Sequence, residues 1–420
     1  MKAKLRDVED TAFLISKFSD QNQFLSLKKD HKKGLRTIAF QQFWHQEKVN
    51  IYTFLRQIVL YKDLKSSFDI DSKLIEDIGI SALDFLKISF SIQIYLSLDK
   101  LDPKFKYDGT LNDDFYDIFM PFFPKNNIDR YLENLTLKYT QQLDSVHKMA
   151  NEALQLYETN FWSNFPFVNH SGRKQVLHKS IFDQTCKYYI YNHLKMSSPG
   201  FTEEFGRRLE RYIELGLKEC GVDYVGEKKM KKDYKLTKVC DYMVEDEILI
   251  ECKAIELQPR SAILREPAIM GRDLKDTIVK AYVQMLSSAI SIDARRNWWG
   301  IVVTYKKTFV GFGEDAWQEF LKEPVIKKTK DEKLNLNILP PERFCVIDIE
   351  TWESVIQIVR DGKISMLSLI RTILTHNSRA KKADAVLLPE QALFKNYDPF
   401  EMKLSYLDNA SEKLDFISDL

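Results

Sequence analysis

The chain has 420 residues, 44% of them hydrophobic and 29% charged, enough apolar material for two or three cored domains and too much for a mainly disordered chain. Lys+Arg total 62 and Asp+Glu 61, a formal charge of +1, which excludes a polycation or an acidic tail and any partner held by whole-molecule charge. Only 14 Gly and 12 Pro disfavour loop-rich or repeat architectures, and 27 Phe with 19 Tyr point to an aromatic interior.

Residues 1–165 read as mainly helical. Phe13, Ile15 and Phe18, then Phe40, Phe43 and Trp44, then Tyr52, Phe54, Leu55, Ile58 and Val59 recur at roughly helical spacing. The run Ile88–Leu98 is ambiguous. Its strict alternation is a strand signature, whereas Ser81 and Asp84 ahead of it resemble a capping box, and the balance favours a helix. It is too short and too polar to span a bilayer. Asp129–Tyr157 reads as one long helix, and this whole region is expected to serve recognition, regulation or assembly.

From 166 the pattern changes. Pro166, Asn169, Ser171 and Gly172 suggest a loop, followed by a helix carrying Tyr188, Tyr189 and Tyr191. An amphipathic helix is expected over Thr202–Cys220, closed by Gly221. Strands are expected from Val222 through the lysines, over Val239–Val244, and from Ile248, with a tight turn at Glu245–Glu247. A helix over Asp273–Ile292 and a buried strand over Trp298–Tyr305 complete a core spanning 166–323. A lysine-rich linker is expected over 324–338. Behind it, residues 339–420 read as a C-terminal strand, Phe344–Ile349, and helices packing on the core. The class is therefore α/β, α+β overall: a mixed sheet flanked by helices, behind a helical N-terminal domain.

Five scattered cysteines, at 186, 220, 240, 252 and 345, give no Cys-x-x-Cys pair and so no disulfide framework or zinc knuckle. With no signal-like apolar stretch behind Met1, the expectation is a reduced, cytoplasmic protein. His170 and His178 lack a third partner and read as structural. No Gly-rich phosphate loop, Gly-x-Ser-x-Gly or His-Glu-x-x-His occurs, so no nucleotide motor is expected in this chain.

The informative stretch runs from Val239 to Lys253. Asp241 and Glu251 lie on consecutive strands joined by a tight turn, so they can meet across a hairpin. Glu251 and Lys253 are two apart and share a strand face with Leu249, while Ile250 and Cys252 share the other. Two acids and a lysine thus gather where an apolar strand ends, and a charge there is costly unless paired or metal-bound. Two convergent carboxylates suit Mg²⁺, and a neighbouring lysine can hold the attacking water and stabilise charge on a phosphate. Glu-x-Lys alone carries little, since Glu227/Lys229 and Glu401/Lys403 repeat it, and a solvated edge strand with a surface ion pair is an equal reading of the hairpin. Glu210 borders the buried stripe of the preceding helix. On the following helix Gln284 lies four residues after Lys280, on the same face.

Taken together these residues resemble the PD-(D/E)xK nuclease superfamily, with its restriction-endonuclease-like fold, over about 200–312. Glu210 matches the first-helix glutamate, Asp241 the hairpin aspartate, Glu251 and Lys253 the (D/E)xK pair, and Gln284 the second-helix glutamine. Cys240 stands where Pro is usual. Ser288 stands where the exonuclease branch has Tyr. The resemblance implies Mg²⁺-dependent hydrolysis of phosphodiester bonds, with Mn²⁺ able to substitute. Asp241, Glu251 and the backbone carbonyl of Cys252 would bind the metal. Lys253 would position the water, Glu210 would support the metal or a second water, and Gln284 would orient Lys253 or the water. DNA is the expected partner, with RNA an open alternative and a homodimer or partner protein a further expectation. The layout is similar to restriction or anti-phage defence nucleases. Lys228, Lys229, Lys231 and Lys232, then Arg260, Arg265, Arg272 and Lys280, flank the site and would contact phosphates. The rival expectation is a catalytically inert nucleic-acid-binding or scaffold protein of the same fold.

Overall fold

The computed structural model describes residues 49–97, 110–111, 113–137, 165–236, 239–255, 267–308, 310–332, 334–362, 364–379, 389–397 and 401–419. The expected helical motifs at Phe13–Phe18 and Phe40–Trp44, the part of the expected Asp129–Tyr157 helix from 138 on, and the phosphate contacts assigned to Arg260 and Arg265 lie outside the described residues.

The N-terminal part begins with α1 (Ile51–Ile58), which Asn50 opens with a reciprocal Asn50–Thr53 cap and which runs on into a π-helical turn, Val59–Asp63. Next come α2 (Ile70–Ile78) and α3 (Ala82–Tyr95). Ser81 Oγ accepts the Asp84 N–H (3.1 Å), so the cap decides the ambiguous Ile88 run in favour of helix. After β1 (Thr110–Leu111) and α4 (Asp113–Phe119), α5 (Lys125–Leu135) is much shorter than the long helix expected from Asp129. Thr136 turns extended and bridges to Phe167, which ends it.

The stretch expected as a loop at 166–172 is instead a hairpin, β2 (Phe167–His170) and β3 (Arg173–Val176), with Ser171 and Gly172 both at positive φ in the turn. A two-residue hairpin turn calls for that left-handed pair, and Gly172 takes its half without a Cβ to clash. Then follow α6 (Lys179–Ser197) and α7 (Phe201–Glu219), the latter closed by Gly221 at φ +65° as expected.

The main sheet starts at β4 (Tyr224–Gly226). The lysine-rich stretch after it, expected to continue the strand, is the helix α8 (Glu227–Tyr234). Its Lys residues are good helix formers, and one buried side chain, Met230, anchors it. Next come β5 (Tyr242–Val244), β6 (Ile248–Lys253), α9 (Pro267–Asp273), α10 (Lys280–Asp293) and β7 (Trp299–Thr304). A short α11 (Gly313–Ala316) leads to α12 (Lys322–Glu332), where a linker was expected. Val325 and Thr329, four apart, are buried and hold that helix to the core, leaving lysines outside. Last come β8 (Phe344–Asp348), α13 (Ile349–Arg360), α14 (Met366–Arg379), α15 (Pro389–Asn396) and α16 (Ser405–Ser411).

The five strands lie in the order β4-β5-β6-β7-β8. The first three are antiparallel neighbours, and β6, β7 and β8 run parallel. The chain is thus mixed α/β. One face of the sheet, with Ile250, Ile301 and Ile347, joins an apolar cluster that reaches from Phe54 through Leu209 and Trp352 to Leu407, so the described N-terminal helices share this core. Leu249, Val302 and Val346 meet Met285, Leu286 and Ala289 of α10 on the other face. Gly216 allows α7 to approach α13. A Cβ there would lie 2.9 Å from Ile356 Cγ1 and Trp352 Nε1.

Among the described residues no single helix is long and apolar enough to cross a membrane. The bent pair α2 and α3 would pass that test together, yet its apolar residues Leu74, Phe85 and Ile92 are buried in the core.

Candidate active site at the end of strand β6

Strand register sets the site. Val244 pairs with Ile248, Met243 with Leu249 and Tyr242 with Ile250, so the next step places Asp241 opposite Glu251 on the Leu249 face. The turn between the strands puts Glu245 and Asp246 at φ +47° and +56°, the left-handed pair that a tight hairpin requires. Asp241 Oδ2 accepts the Cys252 N–H at 2.6 Å, closing the hairpin at its mouth. Lys253 Nζ donates to Glu251 Oε1 at 2.5 Å.

Glu251 is 1% exposed, and its second oxygen, Oε2, is buried with no hydrogen-bond partner. An ionised carboxylate with an unsatisfied buried oxygen is costly, and the electrostatics reflect it. Burial first, then the Asp241 carboxylate beside it, pushes the Glu251 carboxyl up to about 8, against the pull of Lys253. Burial, then Asp241, lifts Glu210 to about 7. Asp241 is also raised, chiefly by burial, although the Cys252 N–H acts the other way. Burial acts to lower the Lys253 ammonium, but Glu251 outweighs it and the net shift is upward. Three carboxylates and one lysine therefore act on one another in a largely dry place. The excess of acid over base is what a bound cation would balance.

Glu210 reaches this cluster from α7. Tyr242 Oη–H donates to the Glu210 backbone carbonyl (3.0 Å), tying that turn of the helix to β5. Gln284, expected beside Lys253, has its amide N–H₂ donating instead to the Val239 carbonyl. One turn further along α10, Ser288 Oγ accepts the Cys240 N–H (3.1 Å) and donates to the Gln284 carbonyl (2.9 Å). The Val239 C=O and Cys240 N–H belong to one peptide unit, immediately before Asp241. Helix α10 thus holds both polar groups of that peptide, and Ser288 has a role that sequence reasoning missed. The Ser288→Ala variant should leave the buried Cys240 N–H unpaired. The expected loss is about 1 to 3 kcal/mol in urea unfolding, with faster hydrogen exchange at the Cys240 amide. Unchanged exchange there would contradict the assignment.

Glu227 was also missed. It stands in the first turn of α8, pairs with Lys231 (2.5 Å), and adds negative charge that raises both Asp241 and Glu210. Its only signal in the sequence was a Glu-x-Lys with no apolar strand behind it. Among the expected phosphate contacts, Lys228, Lys229 and Lys232 are exposed on α8, while Lys231 is half-buried in its ion pair. Arg272 is exposed with a loose pairing to Asp273 (3.7 Å), and Lys280 is exposed at the start of α10.

Among the described residues no group of three or more His, Cys, Asp and Glu side chains is arranged to hold a metal ion by itself. A cation here would rest on Asp241 and Glu251, completed by backbone carbonyl and water, and the unsatisfied Glu251 Oε2 fits that role. Compared with family models, with curated proteins and with solved structures, the chain matches none.

Proposed function

We propose that this chain is a divalent-metal-dependent nuclease with a restriction-endonuclease-like core, hydrolysing phosphodiester bonds of DNA. The observation that carries the reading is the buried, unpartnered Glu251 Oε2 beside Asp241 and Lys253 at the carboxyl end of an apolar strand. The mixed sheet, with β5 and β6 antiparallel and β6 to β8 parallel between helices, supports it.

On this reading Asp241, Glu251 and the Cys252 carbonyl would hold Mg²⁺, or Mn²⁺ in its place, and the ion, when bound, would supply charge neutralisation at the phosphate and a more acidic water. Lys253 orients the attacking water and donates to the developing negative charge. Glu210, raised to about 7, is poised to exchange a proton near neutral pH. Gln284 and Ser288 position Asp241 through the Val239–Cys240 peptide. Lys228, Lys229 and Lys232, exposed on α8, contact the phosphate backbone. A role in restriction or anti-phage defence and assembly as a homodimer accompany the proposal.

The rival reading, an inert nucleic-acid-binding scaffold, draws on the direct Lys253–Glu251 bond, which already satisfies one carboxylate oxygen. Cleavage separates the two. Full-length protein incubated with plasmid, single-stranded DNA and RNA should cut at least one of them with Mg²⁺ and none with a chelator. Binding without cleavage in every case favours the scaffold.

The lysine helix gives a separate prediction. Converting Lys228, Lys229 and Lys232 to Glu should weaken DNA binding and flatten the log–log salt dependence by about 0.9 per lost phosphate contact. An unchanged slope would remove α8 from the interface.

A further inference from the structure

A separate cluster lies along the same end of the sheet. Strands β6, β7 and β8 are parallel, and their register aligns Lys253, Thr304 and Asp348. Asp348 is therefore two strand spacings, about 10 Å, from the lysine of the candidate active site. Just beyond it, α1, α6 and the segment after β7 bring Arg56, Lys187 and Lys307 around one carboxylate, Glu350, in the first turn of α13.

Glu350 fits these cations poorly. Its Oε1 lies 3.3 Å from Arg56 Nη1 and 3.4 Å from Lys187 Nζ, and its Oε2 lies 3.7 Å from Lys307 Nζ. A well-made charge-assisted hydrogen bond is about 2.7 to 2.9 Å. Arg56 itself makes two such bonds with Glu353, at 2.6 and 2.8 Å. One planar group, tethered to a helix, thus spans three donors without closing on any. A tetrahedral group, whose oxygens diverge, suits that arrangement better. The local field also favours an anion. Burial acts to raise the Glu350 carboxyl, but Lys187, Arg56 and Lys307 outweigh it and hold it well below its usual range. The N-terminus of α13 adds partial positive charge. Asp348, the other acid of the notch, is committed to capping α13 through the Thr351 N–H (2.7 Å).

Access follows from Glu350 itself. Its side chain is 34% exposed and that of Lys307 a quarter exposed, whereas Arg56 and Lys187 are almost fully buried. The two buried cations are therefore reached through the place that the Glu350 carboxylate occupies. The free space of the notch, lined also by Tyr188 and Tyr305, is about 10 Å³, enough for one water at most. A larger anion enters only where that carboxylate turns out to solvent.

We propose that Arg56, Lys187 and Lys307 form a phosphate-group site, with Glu350 as the resident anion that an incoming phosphate displaces. Free phosphate and the phosphodiester of a nucleic acid present the same oxygens. No residue of the acidic cluster takes part, so the site is independent of the nuclease reading.

The test uses full-length protein in chelator, with inorganic phosphate and a short single-stranded DNA as separate probes at matched ionic strength. By calorimetry Glu350→Ala, which removes the resident anion, should bind at least one probe about tenfold more tightly than the parent. Adding Lys307→Gln should cancel that gain. A gain with inorganic phosphate identifies a free-phosphate site, and a gain with DNA alone a backbone contact. The same probe should raise the Tm of Glu350→Ala more than that of the parent, which reads binding even where the variant starts less stable. If Glu350→Ala does not fold, Lys307→Gln in the parent carries the test and should weaken binding of at least one probe about threefold. The proposal is overturned if Glu350→Ala gains affinity for neither probe, or if the gain survives Lys307→Gln. In the fallback, unchanged binding of both probes overturns it. Because chelator removes divalent cations throughout, failure here leaves the cation site and cleavage untouched.

Discussion

Glu251→Gln should make the metal-free protein more stable while destroying its activity. The two effects arise from one atom. Glu251 Oε2 is buried and unpartnered, and burial together with Asp241 lifts the carboxyl from 4.5 to about 8. The folded chain therefore holds this proton more tightly than the unfolded chain does. The group's contribution is most favourable below the unfolded value of 4.5 and is lost as pH rises through about 8. Glutamine has the same shape and no charge to desolvate. Lys253, which loses its partner, is a quarter exposed and can be hydrated. At about pH 5 the two proteins should unfold at similar denaturant concentrations. By about pH 9 the glutamine variant should lead by on the order of 1 to 3 kcal/mol. Because Asp241 and Glu210 titrate with Glu251, the window belongs to the cluster. Saturating Mg²⁺ should stabilise the parent and not the variant, reversing the order. Cleavage should fall to background in Glu251→Gln, and equally in Asp241→Ala and Lys253→Ala. A variant that is less stable than the parent at both pH extremes would place the Glu251 carboxylate in a well-satisfied structural role instead.

Glu353→Ala should cost the fold about 3 to 5 kcal/mol, the largest stability loss expected of any single substitution considered. Arg56 of α1 clasps Glu353 of α13 with two parallel bonds, Nε to Oε1 at 2.6 Å and Nη2 to Oε2 at 2.8 Å. Both side chains are almost fully buried, and Tyr212 Oη–H adds a third bond to Oε1 (2.6 Å). Removing the carboxylate leaves a guanidinium in the core, with only a longer contact to Glu350 (3.3 Å). Equilibrium urea unfolding measures the loss. The combination of Arg56→Met, Glu353→Leu and Tyr212→Phe should recover most of it, because the charge and its unpaired partners leave together. If the triple variant were as unstable as Glu353→Ala, the loss would come from packing and not from the stranded charge. The pair joins α1 to the helix that follows β8, so this prediction also probes how the N-terminal helices are fastened to the sheet.

Much of the sheet could be read from the chain because its signals are local. The β5–β6 hairpin follows from two short, continuously apolar runs, Tyr242–Val244 and Ile248–Ile250, on either side of a short acidic turn. The helix before it follows from the stripe Leu209, Tyr212, Ile213 and Leu217 with Gly221 behind. Those same local rules place Asp241 opposite Glu251, and Lys253 on the same face. What could not be read depends on tertiary partners. The lysines of α8 look like any solvated segment, and only Met230 reveals a buried side. Likewise only Val325 and Thr329 reveal that the first part of the expected linker at 324–338 is a packed helix, which ends at Glu332. Gln284 was legible as a polar residue on the right helix, but its partner is a backbone carbonyl, which no side-chain pattern encodes. Arg56 and Glu353 meet across most of the chain length. Nothing near either residue in sequence announces the other.

The central claim is that Asp241 and Glu251 form a divalent-cation site serving phosphodiester hydrolysis. Calorimetric titration of Mg²⁺ into the full-length parent and the Glu251→Gln and Asp241→Ala variants tests it most directly. The parent should bind the ion saturably, more tightly as pH rises through about 7 to about 8 because the ion displaces the protons held by Glu210 and Glu251. Both variants should lose that binding. A parent that takes up no cation, or variants that bind it equally well, would contradict the account.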